Sequence, residues 1–286
     1  MERALLEKVV ALVRESGEIV RRQWLEERHV RHKGRVDLVT RTDLAVEDFL
    51  RERLAPLVPG VGFLAEESSG AGARPAGDCW IVDPVDGTTN FVHRIPQVGT
   101  SVALWRDGRV TLGVVNVPMM NECFWAVRGQ GAFCNGDSIA VSREGELQQC
   151  LCATGFPYDV GGKLPQVLER LRLLLPATQG MRRIGAASVD LAYVACGRLD
   201  VFYELWLKPW DMAAGWLLVE EAGGRVSLPS GDAYAFGGEV VASNGLVHTE
   251  VCGLLCRAAA AAGAHSRSGC GGRRRNTAAR GASGIS

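Results

Sequence analysis

CWIVDPVDGTTN, Cys79 to Asn90, opens on four apolar residues and continues into acids, a proline, a glycine and hydroxyls. Cys79 to Val82 is short and rich in strand formers, so it reads as a buried strand that ends where the first carboxylate appears. Asp83 then sits at the mouth of that strand. Pro84 fixes its own φ and pushes Asp83 toward extended backbone, while Asp86 and Gly87 bring turn chemistry in which glycine takes φ > 0. The chain is expected to bend sharply here. Such a bend lets two carboxylates three residues apart converge on one cation, whereas regular strand alternation sends them to opposite faces. Thr88, Thr89 and Asn90 supply the N-cap and first turn of a helix whose free N–H groups face the same point. Carboxylate oxygens for Mg²⁺ beside helix N-terminal donors for an anion are what a magnesium-bound phosphate ester requires.

Other acids stand at the ends of elements. Gly62 to Ala65 reads as a short strand that delivers Glu66 and Glu67, and an extended continuation turns Glu67 to the opposite face. Pro209 and Trp210 lead into Asp211, and Met212 to Ala222 read as a helix closed by Gly223 and Gly224. By itself Asp211 is an N-cap as readily as a ligand.

Further out, Arg3 to Glu27 and Thr42 to Leu57 carry the apolar spacing of amphipathic helices. Gln97 to Trp105, Val110 to Val117, Glu122 to Arg128 and Ala140 to Val141 read as a sheet meander with turns at Asp107-Gly108 and Asn135-Gly136. Past Gln149 the pattern changes: Cys150 to Gly155, Arg182 to Ile184 and Val201 to Glu204 are short apolar runs, alternating with the helical stretches Gln166 to Leu175 and Ser188 to Cys196. Two α/β or α+β lobes are therefore expected, at about 1–146 and 147–262. Residues 263–286 are Gly, Ser, Ala and Arg with almost no large apolar side chain, and are expected to be a disordered tail.

The 286 residues are 47% hydrophobic and 22% charged, enough for substantial cores. A formal net charge of zero gives no electrostatic argument for nucleic acid or anionic membrane as a partner. The nine cysteines form no CxxC pair and the five histidines no HxxxH pair, so reduced thiols are expected and an oxygen-ligand magnesium site is favoured over zinc. With no charged and apolar leader and no apolar stretch of membrane-spanning length, the expected location is cytoplasmic.

The string WIVDPVDGTTNFVH, Trp80 to His93, followed downstream by WDMAAG, Trp210 to Gly215, resembles the inositol monophosphatase family over roughly Leu6 to Ala260. The resemblance implies a layered αβαβα sandwich, shared with the sugar bisphosphatases. It implies a Mg²⁺-dependent phosphomonoesterase acting on myo-inositol 1-phosphate or a similar polyol phosphate, lithium-sensitive and homodimeric. By the same resemblance Glu66 and Asp83, with the carbonyl of Val85, hold one ion, and Asp83, Asp86 and Asp211 hold a second. A third, weaker ion near Glu66 is usual in the family. Thr88 orients the attacking water and Asp43, in the matching TRTD segment, polarises it; read alone, both are helix caps. Gly87 and Thr88 N–H groups hold phosphate. Asp86, Glu204 and Ala187 of the GAAS loop face the substrate, while Lys33 matches a loop lysine near the metals and Lys208 stands where animal members carry His. Fructose-1,6-bisphosphate, histidinol phosphate and 3′-phosphoadenosine phosphates are rival substrates on the same core. A regulatory protein that keeps the site but works by binding another macromolecule is the reading from a different class.

Overall fold

The computed structural model describes all residues except 1, 27–29, 33–37, 71, 158–159 and 269–286. Lys33 therefore lies outside the described residues. Helix α1 (Glu2–Gln23) buries Val9, Val13 and Val20, and Trp24 leaves it to meet Phe91 edge-on at a ring distance of 5.4 Å. After the short antiparallel pair β1 (Arg31–His32) and β2 (Leu38–Val39) comes α2 (Arg41–Leu54). It opens on a reciprocal cap, in which the Thr40 hydroxyl accepts the Thr42 N–H while the Asp43 carboxylate accepts the Thr40 N–H. The helix stops at Leu54, short of the expected Leu57, because Ala55 precedes Pro56 and residues 55–57 tighten into a 3₁₀ turn.

The first sheet has seven strands in sequence order: β3 (Gly62–Ala65), β4 (Cys79–Asp86), β5 (Gly99–Arg106), β6 (Arg109–Val117), β7 (Glu122–Val127), β8 (Ala132–Cys134) and β9 (Asp137–Ile139). Only β3 and β4 pair in parallel; the rest is the expected antiparallel meander. Asp107-Gly108 and Asn135-Gly136 form its turns, all four residues at positive φ. The expected strand at Ala140–Val141 is replaced by β9 just before it. Val141 instead donates its N–H to the Ala222 carbonyl. Between β4 and β5 lies α3 (Thr88–His93).

The second sheet holds β10 (Leu151–Thr154), β11 (Gly180–Arg182), β12 (Val201–Glu204), β13 (Arg225–Ser227) and β14 (Val240–Ser243), in the order β11-β10-β12-β14-β13. Its helices are α4 (Leu164–Leu174), α5 (Ala187–Ala195), α6 (Pro209–Glu221) and α7 (His248–Ser268). The sequence reading leaves β13, β14 and α7 unassigned, and α7 runs to Ser268, past Gly263 where the tail was expected to begin.

Strand alternation sorts the interior into layers. Trp80 and Val82 of β4 pack with Val13 of α1 and Leu50 of α2, while Ile81 faces the other way, toward Leu191 of α5 and Met212 of α6. Phe202 and Ala242 of the second sheet close that middle layer, and Val201 and Val241 face outward onto Leu174 of α4 and Leu255 of α7. The result is helix, sheet, helix, sheet, helix. Lying between two sheets, α6 is apolar nearly all round, as a helix without a solvent face must be.

Close approach at one point sets the position of α6. A Cβ on Gly113 of β6 would lie 2.9 Å from both the Cα and the carbonyl oxygen of Ala214. Gly113→Ala is therefore expected to push α6 off the sheet and cost about 1–3 kcal/mol; differential scanning calorimetry showing an unchanged Tm contradicts this packing.

His248 anchors α7, its Nε2 2.7 Å from Ser227 Oγ and its Nδ1 2.8 Å from Ser243 Oγ. Burial, assisted by the Arg225 charge, lowers its pKa from 6.5 to about 4. The unfolded chain thus takes up the proton first as pH falls, so stability is full above 6.5 and declines toward about 4. Denaturant titrations of wild type and His248→Gln should differ in slope across that window, and parallel curves would refute the anchor's role.

Candidate active site

A bulge in β4 gathers the acids. Asp83 pairs with Ser101 and Asp86 with Gly99, so the two residues Pro84 and Val85 oppose the single residue Thr100. The extra residue returns Asp86 to the face that Asp83 occupies, which regular alternation forbids for residues three apart. The strand therefore does not end at Val82, as the sequence suggested; it runs on to Asp86 through the irregularity. Pro84 is tolerated because a bulge needs no ladder N–H there, and its carbonyl accepts the Thr100 hydroxyl at 3.0 Å. Ser101, across from Asp83, donates to the Trp210 carbonyl at 3.2 Å, tying the sheet to the first turn of α6 and so to Asp211.

Each aspartate has one oxygen fixed by a backbone donor. Val85 N–H reaches Asp83 Oδ1 at 3.1 Å, Ser188 N–H reaches Asp86 Oδ2 at 2.7 Å, and Lys208 N–H reaches Asp211 Oδ2 at 2.6 Å. The Ser188 hydroxyl adds a second bond to Asp86 Oδ2 at 2.6 Å. These bonds fix the orientation of each carboxylate. Gly87 turns the chain with φ 88° to start α3, and a Cβ there would sit 3.0 Å from the Gln97 carbonyl. Thr88 Oγ1 then lies 3.0 Å from both Asp43 Oδ1 and the Val85 carbonyl oxygen. Asp43 thus serves α2 as a cap with one oxygen and reaches Thr88 with the other.

Glu66, Asp83, Val85, Asp86 and Asp211 line one cleft of about 720 Å³, together with Gly87 and Thr88. Ala187, Glu204 and Lys208 line it as well. Asp43 lies behind Thr88. Three corrections follow. Glu67 also faces the cleft, because the chain turns after Ala65 and does not continue extended. Ser188, read as the end of the GAAS loop and the start of a helical stretch, orients Asp86. Asp190 and Arg183 were not singled out, although Asp190 lies three residues after Ala187, on the same face of α5.

The electrostatics are those of a crowded anionic wall. Burial, and then the charges of Glu66, Asp86 and Asp211, push the Asp83 carboxyl well above the usual range. Burial and the Glu66 charge do the same to Asp211, against the pull of the Lys208 N–H. Asp86 is raised by burial and held back by its Ser188 bonds. Burial lifts Glu204 to about 8, opposed by Arg183. Oxygen donors of like charge, gathered and desolvated, fit a hard divalent cation. Among the described residues no three Asp, Glu, His or Cys side chains close into a ready-made cage.

The family model described as "Inositol monophosphatase family" matches residues 1–262. Over 238 residues the chain is 42% identical to Inositol monophosphatase 3 of Solanum lycopersicum, covering 80% of this chain and 87% of that protein. Over 245 residues it is 38% identical to the Fructose-1,6-bisphosphatase/inositol-1-monophosphatase of Thermotoga maritima, covering 85% and 92%. The crystal structure of extragenic suppressor protein suhB from Bartonella henselae matches with a TM-score of 0.82 at 38% identity, covering 88% of this chain and 98% of that one. A match of this extent and identity settles membership: the chain belongs to the inositol monophosphatase family.

Proposed function

We propose that this phosphatase is a Mg²⁺-dependent phosphomonoesterase that hydrolyses myo-inositol 1-phosphate, or a similar polyol phosphate, to the alcohol and inorganic phosphate. The observation that carries the reading is the convergence of Asp83, Asp86 and Asp211 beside the Thr88–Asp43 pair in one cleft. Glu66, Asp83, Asp86, Asp211 and the Val85 carbonyl would hold two or three Mg²⁺ ions. Bound there, Mg²⁺ acidifies water, neutralises phosphate oxygens and stabilises the departing alkoxide.

The chain's own groups do the rest. Thr88 has one hydroxyl proton and two acceptors at 3.0 Å; donating to Asp43 leaves its lone pair to accept a hydrogen bond from the attacking water. Held between acceptors in this way, Thr88 orients water and is not itself the nucleophile, so direct in-line attack is preferred to a phosphoenzyme. Gly87 and Thr88 N–H groups would position the phosphate. Glu204 would accept hydrogen bonds from the alcohol, with Ala187 and Lys208 lining the same cleft. Homodimeric assembly and a cytoplasmic location belong to this reading as family expectations; among the described residues no helix is long and apolar enough to cross a membrane.

Asp83→Asn keeps the side-chain shape and removes the central charge. Turnover should fall by about 10²-fold or more, with Mg²⁺ affinity by calorimetry falling in parallel. A fully active variant is incompatible with the metal assignment.

Substrate choice is tested by phosphate release from inositol 1-phosphate, fructose-1,6-bisphosphate, histidinol phosphate and 3′-phosphoadenosine 5′-phosphate, with and without Mg²⁺ and Li⁺. Mg²⁺-dependent, Li⁺-inhibited preference for inositol 1-phosphate is expected. Preference for another ester would keep the metal chemistry and replace the substrate, and no release from any would reject the enzyme reading.

A further inference from the structure

Asp43, Glu47 and Arg51 recur at every fourth residue of α2 and so share one face of it. Each holds a different part of the chain around the cleft. Asp43 Oδ1 meets the Thr88 hydroxyl at 3.0 Å. One turn on, Glu47 Oε2 accepts the Glu67 N–H at 2.9 Å, and Glu47 Oε1 pairs with Arg51 Nη2 at 2.8 Å. One turn further, Arg51 donates to the Ser68 hydroxyl, and its guanidinium carbon lies 4.2 Å from the centre of the Phe63 ring in β3.

Glu47 is the member of this stripe that the mechanism above leaves unused. It is buried and stands outside the lining of the cleft. A carboxylate withdrawn from water is costly unless its oxygens are satisfied, and both oxygens here are engaged beside the turn that carries Glu66. The same turn is closed from within. Ser69 donates its N–H to the Ala65 carbonyl at 3.0 Å, and its hydroxyl accepts the Ala65 N–H at 3.1 Å. Glu66 donates its own N–H to the Val82 carbonyl at 3.2 Å. Glu66 is thus fixed between β4, which continues into Asp83, and α2, which carries Asp43.

We infer that Glu47 is a positioning residue for the metal site: by anchoring the Glu67 N–H it sets Glu66 relative to Thr88, through one rigid helix that also carries Asp43. This rests on the phosphomonoesterase reading and deepens it. Glu47 touches neither ion nor substrate and acts through the turn it holds. Because the hydrogen bond spans the full length of the side chain, reach matters as well as charge.

The test measures Mg²⁺ binding by calorimetry, beside the Mg²⁺ dependence of p-nitrophenyl phosphate hydrolysis, in the full chain. Wild type is compared with Glu47→Ala, with Glu47→Asp, which keeps the charge and shortens the reach, and with Glu52→Ala at an exposed position of α2. Removing an outer partner of a metal site costs about 10–100-fold in affinity, so the Mg²⁺ Kd should rise about tenfold or more in both Glu47 variants. The half-saturating Mg²⁺ concentration should rise in step, with kcat recovering at saturating Mg²⁺ and Glu52→Ala matching wild type. An unchanged Kd in a Glu47→Ala protein of normal Tm overturns the inference. So does full affinity in Glu47→Asp, which would make charge and not placement the cause. Should Glu47→Ala not fold, Arg51→Met decides: loss of the cation that holds Glu47 should raise the Kd, and an unchanged Kd overturns the anchor. Wild type that binds no Mg²⁺ overturns the metal reading along with the inference, whereas wild-type binding with unaltered Glu47 variants overturns the inference alone.

Discussion

Two residues opposing one, in the pairing of β4 with β5, is the constraint on which the site depends. A regular ladder would place Asp83 in one layer and Asp86 in the other, each behind its own helix. The bulge keeps the ladder running while turning both carboxylates to the cleft, and the same step presents Gly87 to start α3 and Thr88 to meet Asp43. Thr100 and Ser101, the facing residues, answer it directly, one by bonding the Pro84 carbonyl and the other by bonding the start of α6.

Such an arrangement works against stability locally. Like-charged carboxylates withdrawn from water each carry a desolvation cost, and here burial is the leading cause of the raised carboxyl at Asp83, Asp86 and Asp211 alike. Backbone donors from three elements hold one oxygen of each in place. The surrounding layers supply the rigidity: α6 is packed between two sheets, touches β6 at Gly113 without a side chain between, and carries Asp211 on its first turn. Repulsion is concentrated where a ligand can relieve it, and the apolar layers elsewhere offset it.

Much of this was legible before any coordinates. Periodicity located β3 and β12 at their observed bounds and most other elements within a few residues, because their alternation or helical spacing is strong. The acids at element ends were visible as types in positions. What stayed hidden was three-dimensional. Asp83 and Asp86 were read as meeting across a bend beyond the strand, and the bulge that does the work depends on Thr100, a partner 16 residues from Pro84. Glu67 was dismissed by extending β3 one step too far, since Ala65 ends the strand in a turn. Asp190 was not singled out at all, and only its burial and its unpartnered oxygen mark it. α7 was missed because its alanine-rich end resembles the low-complexity stretch that follows, although Val251 and Leu255 anchor it to the second sheet.

The central claim is that the bulged strand and α6 converge on a cation through Asp83, Asp86 and Asp211. Anomalous diffraction from crystals soaked in Mn²⁺ addresses it directly. The account predicts an anomalous peak between the free oxygens of those three carboxylates. A saturated crystal with no peak there, or with Mn²⁺ bound only elsewhere on the molecule, would contradict it.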